Sequence, residues 1–251
     1  MNTYVIGDIH GEYDALIQCL QKANFDYNND TLISLGDVVD RGPKSYFVIE
    51  ELLKIKNLIP VKGNHDQVFK HWIDTGIHMF QWLHGGTETR VSYLLKEKNI
   101  DDDDVNINQS LSKLDIPESH VKFFESQLDY YLDSKGRLFV HGGFDRDYPL
   151  SEQDDNTFLW DIDLWNKALT CSKGQNLRTI EGFPEIYIGH TPTLHWKGFI
   201  NDEFGNKKMG DINYPMNSGG VWNMDTGACF TGGRLSMMNV NTKELFQSDV
   251  K

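Results

Sequence analysis

Short apolar runs alternate with amphipathic segments over the first 66 residues. Residues 4–6, 31–35 and 58–61 are largely apolar and have the length of buried strands. Residues 13–23 and 45–56 carry apolar side chains at helical spacing. Strands that alternate with helices predict parallel strands joined by helical crossovers, and ligands of such sheets gather at the carboxyl ends of the strands.

The pattern becomes helical in the middle of the chain. Helices are predicted over residues 67–75, 88–98 and 117–130. The acidic run at 101–104 lies between them and could bind calcium, but it lacks the alternating ligands and central glycine of an EF-hand, so a solvated loop is favoured.

From residue 137 onwards the pattern is that of short strands between glycine-rich turns. Strands are predicted over residues 138–140, 186–188, 221–224 and 235–240. Residues 151–183 are expected to be irregular, with one short helix. Residues 198–220 are expected to form a hairpin or a long loop near the functional site.

No linker-like composition divides the 251 residues, so one domain over 1–251 is predicted, with a helical, loop-rich insertion at about 67–135. A net charge of −13 argues against nucleic acid as a partner. No apolar run approaches the ~20 residues that span a bilayer. Three widely spaced cysteines and polar residues from position 7 favour a cytoplasmic protein without a signal peptide or membrane association.

Five polar clusters follow predicted strands. Taken singly, each has a structural explanation, because Asp or Asn after a strand often caps the next helix and a lone histidine is often a core residue. Five strand ends that all offer Asp, Asn or His are difficult to explain by capping. The clusters are GDIHG (7–11), GDVVDRG (36–42), GNHD (63–66), HGG (141–143) and GH (189–190).

The oxygen and nitrogen donors of these clusters suit manganese, iron or zinc and include no thiolate. Two cations ~3.5–4 Å apart polarise a phosphoryl group and activate water. Six residues can hold such a pair if Asp37 bridges both ions: Asp8, His10, Asp37, Asn64, His141 and His190.

The set of clusters resembles the calcineurin-like metallophosphoesterases, in particular the phosphoprotein-phosphatase branch with GDxHG, GDxVDRG and GNH[ED] signatures. The later YIGHTP (187–192) and MDTGA (224–228) stretches resemble the phage lambda-type Ser/Thr protein phosphatases. The resemblance implies an α/β fold, a β-sandwich flanked by helices in α/β/β/α layers. It also implies hydrolysis of phosphate monoesters by a hydroxide bridging two metal ions, with manganese preferred and iron or zinc as alternatives.

The resemblance also implies a role for each residue. Asp8, His10 and Asp37 would hold the first metal, and Asp37, Asn64, His141 and His190 the second.

His65 would be the general acid that protonates the leaving oxygen, and Asp66 would orient it. Arg41 would bind phosphate oxygens as a bidentate fork, and Asp40 would position the turn around it. Two structural alternatives stay open: His65 as a supporting residue behind the ligands, and Arg41 as the ion-pair partner of Asp40 or Asp66.

Three departures from the family pattern put the substrate class in doubt. Lys62 precedes GNHD where the family often has Arg, so the phosphate clamp would consist of Arg41 and Lys62. Trp160-Asp161-Ile162 lacks the arginine that the lambda-type pattern places two residues after a tryptophan. Asp66 replaces the commoner Glu. His84 in WLHGG (82–86) matches no signature, although its loop is expected near the site.

Three functions are compatible with these motifs. A protein Ser/Thr phosphatase is favoured by Asp40 and by HGGF (141–144). A symmetrical diadenosine tetraphosphate hydrolase is the alternative, because YVIGDIHGEYDAL and DTGACFTGG resemble those enzymes, although they usually carry Ala at the position of Asp40. A non-catalytic binding module is the third, and hydrolysis of p-nitrophenyl phosphate in Mn²⁺ would exclude it. The predicted partner is therefore a phosphorylated protein or a nucleotide.

Overall fold

The computed structural model describes residues 1–97, 111–171, 182–201 and 207–251. The predicted acidic loop at 101–104 and the end of the helix predicted over 88–98 lie outside these residues. The described helices are α1 (Tyr13–Lys22), α2 (Ser45–Leu52), α3 (Asn64–Thr75), α4 (Gly86–Glu97), α5 (Glu118–Glu125), α6 (Asp155–Trp160) and α7 (Asp163–Cys171). The described strands are β1 (Thr3–Ile6), β2 (Thr31–Ser34), β3 (Asn57–Pro60), β4 (Tyr130–Leu132), β5 (Leu138–Val140), β6 (Ile186–Ile188), β7 (Lys197–Asn201), β8 (Lys207–Asp211), β9 (Met216–Ser218), β10 (Val221–Asn223), β11 (Ser236–Asn239) and β12 (Leu245–Gln247).

The strands form two five-stranded mixed sheets and one hairpin. The first sheet has the order β12-β11-β1-β2-β3, and β1, β2 and β3 are parallel. The second has the order β4-β5-β6-β10-β9, and β5, β6 and β10 are parallel. Strands β7 and β8 pair antiparallel, which confirms the hairpin alternative for residues 198–220. Each sheet thus carries three parallel strands whose carboxyl ends offer ligand positions.

The two sheets pack face to face because alternate strand residues point to opposite sides. Val5 and Ile33 of the first sheet share one core with Phe139 and Tyr187 of the second. The Phe139 and Tyr187 rings are stacked, with centroids 4.7 Å apart. This buried layer fixes the position of one sheet relative to the other.

Helices cover the outer faces of both sheets. The side chains on the outer face of the first sheet, such as Tyr4 and Ile6 of β1, pack against α1 to α5. Leu138 and Val140 of β5 pack against α6 and α7 in the same way. The predicted α/β/β/α order of layers is therefore confirmed. None of the helices in the described residues is both long and apolar enough to cross a bilayer.

The secondary-structure elements that the sequence pattern did not predict are mainly short strands at the sheet edges. Strands β4, β9 and β12 were not predicted; all three are edge strands of three residues with at least one exposed position. Edge strands need only one hydrogen-bonded neighbour, so their apolar pattern is weak. The helix predicted over 117–130 ends at Glu125, and two helices, α6 and α7, occupy a region where one was expected.

Candidate metal centre

The predicted ligands follow the carboxyl ends of the parallel strands. Asp8 follows β1, Asp37 follows β2 and Asn64 follows β3, whereas His141 and His190 follow β5 and β6 of the opposite sheet. The packing of the two sheets brings these ends together, although the residues are up to 182 positions apart in sequence. The convergence expected from the βαβ pattern is therefore present across both sheets.

The backbone at this edge adopts conformations that side chains usually avoid. Seven non-glycine residues with positive φ occur among the described residues, and five of them lie in the site motifs: His10, Asp37, Asp40, Arg41 and His190. Each such residue costs of order 1–3 kcal/mol, and strain of this kind clusters at functional sites. The fold thus accepts local strain to aim these side chains at one point.

Two groups of possible metal-binding side chains occur in the described part of the chain, and both include Asp37. Within each group, the donor atoms lie within 4.8 Å of one another. One group combines Asp37 with His10 and His65, and the other combines it with His141 and His190. Asp37 Oδ2 lies 3.6 Å from His10 Nε2 and 3.4 Å from His141 Nε2. A carboxylate between two imidazole-lined positions is the arrangement that a bridging ligand requires.

Asn64 completes the second group. Its Oδ1 lies 2.9 Å from His141 Nε2 and 3.0 Å from His190 Nδ1. The two imidazole nitrogens are themselves 3.3 Å apart. Three donor atoms this close, all directed inwards, have the chemistry of a divalent-cation site.

Backbone carbonyls fix the orientation of two imidazoles. His10 Nδ1 donates to the Val39 carbonyl at 2.9 Å, and His141 Nδ1 donates to the Leu35 carbonyl at 2.7 Å. Each contact directs the opposite nitrogen, Nε2, towards Asp37. Metal-binding histidines commonly have such a partner, so these residues fit a metal pair.

Asp8 belongs to neither donor group. Its buried carboxylate accepts the His190 backbone N–H, with Oδ2 at 3.0 Å. A Cβ at Gly189 would come within 2.1 Å of Asp8 Oδ1, so the glycine permits this close approach. Burial and the neighbouring Asp225 carboxylate raise the pKa of Asp8 well above its usual range. A cation would reverse this shift by compensating the negative charge.

Asp225 is a site residue that sequence reasoning missed. It follows β10, as the other acids follow their strands, and is 2% exposed. Burial raises its pKa to about 6. Its Oδ1 accepts the Gly227 N–H at 3.0 Å. Its position directly after the predicted strand 221–224 could have identified it, because Asp8 and Asp37 also follow predicted strands.

Arg41 lies inside the centre and contacts two histidines. Its Nη1 donates to His10 Nε2 at 2.6 Å, and its Nη2 donates to His65 Nε2 at 3.0 Å. The guanidinium also lies over the Phe230 ring, 5.4 Å from the centroid. His10 Nε2 can bind a cation only when the Arg41 contact is released, which leaves the guanidinium available to an anion. Among the contacts of the described residues, Arg41 forms no ion pair with Asp40 or Asp66, which was the structural alternative.

The predicted partner of His65 is wrong. His65 Nδ1 lies 2.8 Å from Asp40 Oδ2. Asp66 instead accepts the backbone N–H groups of Val38 at 2.9 Å and Gly63 at 3.1 Å. Burial and the Asp37 carboxylate raise the pKa of Asp66 to about 7. Asp66 sits one residue beyond His65 on α3, and its short side chain folds back onto the helix N-terminus, so it fixes loops while Asp40 orients the imidazole.

The clamp predicted for Lys62 is also wrong. Its ammonium pairs with Asp129 at 2.6 Å and lies 3.9 Å from Asp155. Lys62 does not line the cleft that contains Arg41 and His65, and instead lines a separate cavity with Gln67 and His71. The ammonium group is thus directed towards Asp129 and Asp155 and away from the centre.

The centre opens into a cleft of about 330 Å³. Arg41, Asn64 and His65 form its floor together with Asp37 and His190. Phe80, Gln81, His84 and Trp160 form its walls, which confirms the expectation that the His84 loop lies near the site. Ile162, at the position of the missing arginine, is 51% exposed.

The family of the protein follows from this geometry together with its sequence relatives. A model of the calcineurin-like phosphoesterases matches residues 1–217. The chain belongs to this family. This phosphoesterase is 27% identical over 248 residues to serine/threonine-protein phosphatase 1 of Salmonella typhimurium, covering 95% of this chain and 92% of that protein.

Two further comparisons differ in how much of the chain they cover. The phosphoesterase is 46% identical to the symmetrical bis(5'-nucleosyl)-tetraphosphatase of Buchnera aphidicola over 67 residues, which are 26% of this chain and 24% of that protein. A metallophosphoesterase structure from Sphaerobacter thermophilus superposes with a TM-score of 0.54 at 18% identity, covering 100% of this chain and 89% of that one. The structural likeness shows the fold alone.

A proton on His141 balances the negative charge of Asp37 in the centre of the phosphoesterase. Burial opposes the resulting positive charge, but the Asp37 carboxylate outweighs it and raises the pKa of His141 to about 10. Burial lowers the pKa of the neighbouring His190 to about 3. Burial also disfavours the charge of Asp37, yet His141 and His65 hold the pKa of Asp37 well below its usual range. A cation held by Asn64, His141 and His190 would therefore have to displace the His141 proton.

We expect cation binding to chelator-stripped phosphoesterase to release about one proton from His141 and none from His190. Because the pKa of His141 is raised above 6.5, the ring holds its proton at lower pH, and affinity should rise about tenfold per pH unit up to about pH 10. Titration calorimetry with Mn²⁺ in buffers of different ionisation enthalpy measures the proton count. An affinity that does not change between about pH 7 and 9 would contradict the His141 assignment.

Proposed function

We propose that this phosphoesterase removes phosphate from serine and threonine side chains of proteins, using two divalent cations, preferably manganese. The contact between His65 and Asp40 carries the proposal. His65 is 6% exposed and lines the cleft, and a fully buried carboxylate 2.8 Å away holds its imidazole. A histidine held in this way suits proton transfer to a leaving oxygen.

The nature of the leaving group explains why this contact favours a phosphoprotein. A serine alkoxide is a strong base and must be protonated as it leaves. A nucleoside diphosphate, released by symmetrical cleavage of a dinucleotide tetraphosphate, is a weak base and needs little help. General acid catalysis contributes roughly 10²–10⁴-fold where it is needed.

The residues of the centre divide the remaining work. Two bound cations would polarise the phosphoryl group and lower the pKa of an attacking water. The donors proposed to hold them are Asp8, His10 and Asp37 for one ion, and Asp37, Asn64, His141 and His190 for the other.

Arg41 links phosphate binding to the proton. When the guanidinium turns from His10 and His65 towards phosphate oxygens, it forms a bidentate contact that fixes the phosphoryl group. The same movement frees His65 Nε2 to carry the proton. Asp40 then stabilises the imidazolium through Nδ1.

The sequence relatives support the same choice. The alignment with serine/threonine-protein phosphatase 1 covers 95% of the chain, whereas that with the symmetrical tetraphosphatase covers 26%. A short alignment at higher identity fits motifs shared by both groups. An alignment over nearly the whole chain also includes the parts that contact substrate.

A dinucleotide hydrolase is the second candidate, and the cleft walls favour it. Phe80 is 75% exposed and Trp160 is 41% exposed, and both line the cleft. Exposed aromatic rings can stack on nucleobases, with a contribution of about 1–3 kcal/mol per base. These rings would serve an adenosine that extends from the centre.

A comparison of substrates tests the proposal. We expect kcat/KM for a phosphoserine peptide to exceed that for diadenosine tetraphosphate by tenfold or more, about 1.4 kcal/mol in transition-state terms. Steady-state assays of both substrates in Mn²⁺ provide the measurement.

Two variants of the same 3-10 helix (Phe80–Leu83) identify the alternative. Phe80 lines the cleft, whereas Leu83 is 76% exposed and absent from its lining. A tenfold preference for the dinucleotide, lost in Phe80→Ala and kept in Leu83→Ala, would replace the phosphoprotein proposal with the second candidate.

A further inference from the structure

The WLHGG stretch and the first turn of α4 lie against the turn that carries Asp40 and Arg41. Arg41 N donates to the Gly85 carbonyl at 3.0 Å. Asp40 and Arg41 have φ of 70° and 67°, so the turn is left-handed at two consecutive non-glycine residues. Gly85 permits this contact, because a Cβ there would come within 2.7 Å of Arg41 N. The stretch therefore supports a strained turn at the centre.

Trp82 in this stretch and Thr89 in the first turn of α4 supply two hydrogen-bond donors to one oxygen of Asp40. Thr89 Oγ1 donates to Asp40 Oδ1 at 2.7 Å, and Trp82 Nε1 donates to it at 3.2 Å. The other oxygen, Oδ2, faces His65 Nδ1 at 2.8 Å. Both donors are buried, at 0% and 5% exposure. The carboxylate is thus held on one side and presents its other side to the imidazole.

The hydrogen-bond donor and acceptor roles of the Thr89 hydroxyl follow from its three partners. Asp40 N is a donor and contacts Thr89 Oγ1 at 2.8 Å, so Oγ1 accepts there. The Asp40 carboxylate only accepts, so the hydroxyl hydrogen of Thr89 points to Oδ1. Ser45 Oγ, at 3.1 Å, must then donate to Thr89. Thr89 uses its one donor and both lone pairs and is fixed in place.

We propose that Thr89 and Trp82 are positioning residues for protonation of the leaving group, acting through Asp40 on His65. This inference rests on the proposed function, in which His65 is the general acid. Without the Thr89 and Trp82 donors, the Asp40 carboxylate can rotate. His65 is then no longer held in the orientation that directs Nε2 towards the leaving oxygen. Displacements of about 1 Å in a catalytic group can cost as much as 10²-fold in rate.

The test uses the dependence of rate on the leaving group. We expect Thr89→Val to lower kcat for a phosphoserine peptide roughly tenfold, part of the total contribution of a general acid. For p-nitrophenyl phosphate, whose leaving group needs little protonation, the loss should be about twofold at most. Thr89→Ser keeps the hydroxyl and should restore the phosphoserine rate.

A matched control lies on the same helix. Ser92 is 2% exposed and accepts the Tyr46 N–H at 3.1 Å without contacting Asp40. Ser92→Ala also removes a buried hydroxyl from α4, and it should leave the ratio of the two rates unchanged. A ratio that shifts equally in both variants would assign the effect of Thr89→Val to loosening of the helix and would overturn the proposal.

Trp82→Phe provides a second variant because Thr89→Val also removes the acceptor of Asp40 N. Phenylalanine keeps a ring in the cluster with Phe69 and Trp72 but loses the Nε1 donor. We expect its rate ratio to change in the same direction as that of Thr89→Val. An unchanged ratio in both variants would overturn the proposal.

A double variant separates this proposal from the proposed function. In a His65→Asn background, Thr89→Val should have no further effect on the phosphoserine rate, because the residue through which it acts is gone. An undiminished tenfold loss in that background would overturn the inference alone. If His65→Asn lowers kcat equally for the phosphoserine peptide and for p-nitrophenyl phosphate, the assignment of His65 as the general acid would instead be overturned.

Discussion

Replacing Asp37 with asparagine is expected to reduce kcat on every phosphate ester roughly a thousandfold or more, about 4 kcal/mol of transition-state stabilisation. Asp37 Oδ2 lies between His10 Nε2 at 3.6 Å and His141 Nε2 at 3.4 Å, so one carboxylate would serve both cations. An amide cannot balance two divalent charges. The assay is p-nitrophenyl phosphate hydrolysis in saturating Mn²⁺, together with metal analysis of the purified protein.

Asp40→Asn is the matched control for Asp37→Asn. Both carboxylates are almost fully buried, at 0% and 2% exposure, and both face a histidine of the centre. With p-nitrophenyl phosphate, the loss of Asp40 should matter far less, because this leaving group needs little protonation. Equal losses in the two variants, with two ions retained in each, would contradict a bridging role for Asp37.

Replacing His65 with asparagine is expected to lower kcat for phosphoserine peptides by about 10²–10⁴-fold, the usual contribution of a general acid. The loss with p-nitrophenyl phosphate should be much smaller. Metal content should stay at two ions per chain. Steady-state kinetics with both substrates and metal analysis are the measurements.

Metal content decides between two roles for His65. Its ring nitrogen belongs to a donor group with His10 and Asp37, so a metal ligand is the competing assignment. If His65→Asn binds close to one ion per chain, His65 is a ligand and the acid must be another group. His71→Asn, a change on the same helix away from the cleft, should alter neither rate nor metal content.

Partners of the site residues were harder to predict than the residues themselves. Asp66 was expected from the family resemblance to orient His65, yet Asp40, 25 positions earlier, makes that contact. Lys62 was expected at the phosphate because it takes the place of the arginine that often precedes GNH in the family, yet it pairs with Asp129, 67 positions later. Adjacent residues at the start of a helix point in different directions, so closeness in sequence does not predict a shared partner.

Local patterns in the sequence determined the strands, the crossover helices and the polar clusters at the strand ends. Apolar periodicity and glycine positions act over a few residues, so they can be read without a fold. Tertiary structure alone decided which atoms of these ends come into contact, because the face-to-face packing of two separate sheets brings Asp8 to the His190 backbone N–H and Asn64 Oδ1 to His141 Nε2. It also decided that Trp82 and Thr89 hold Asp40, since hydrogen-bond partners are set by where side chains point after packing.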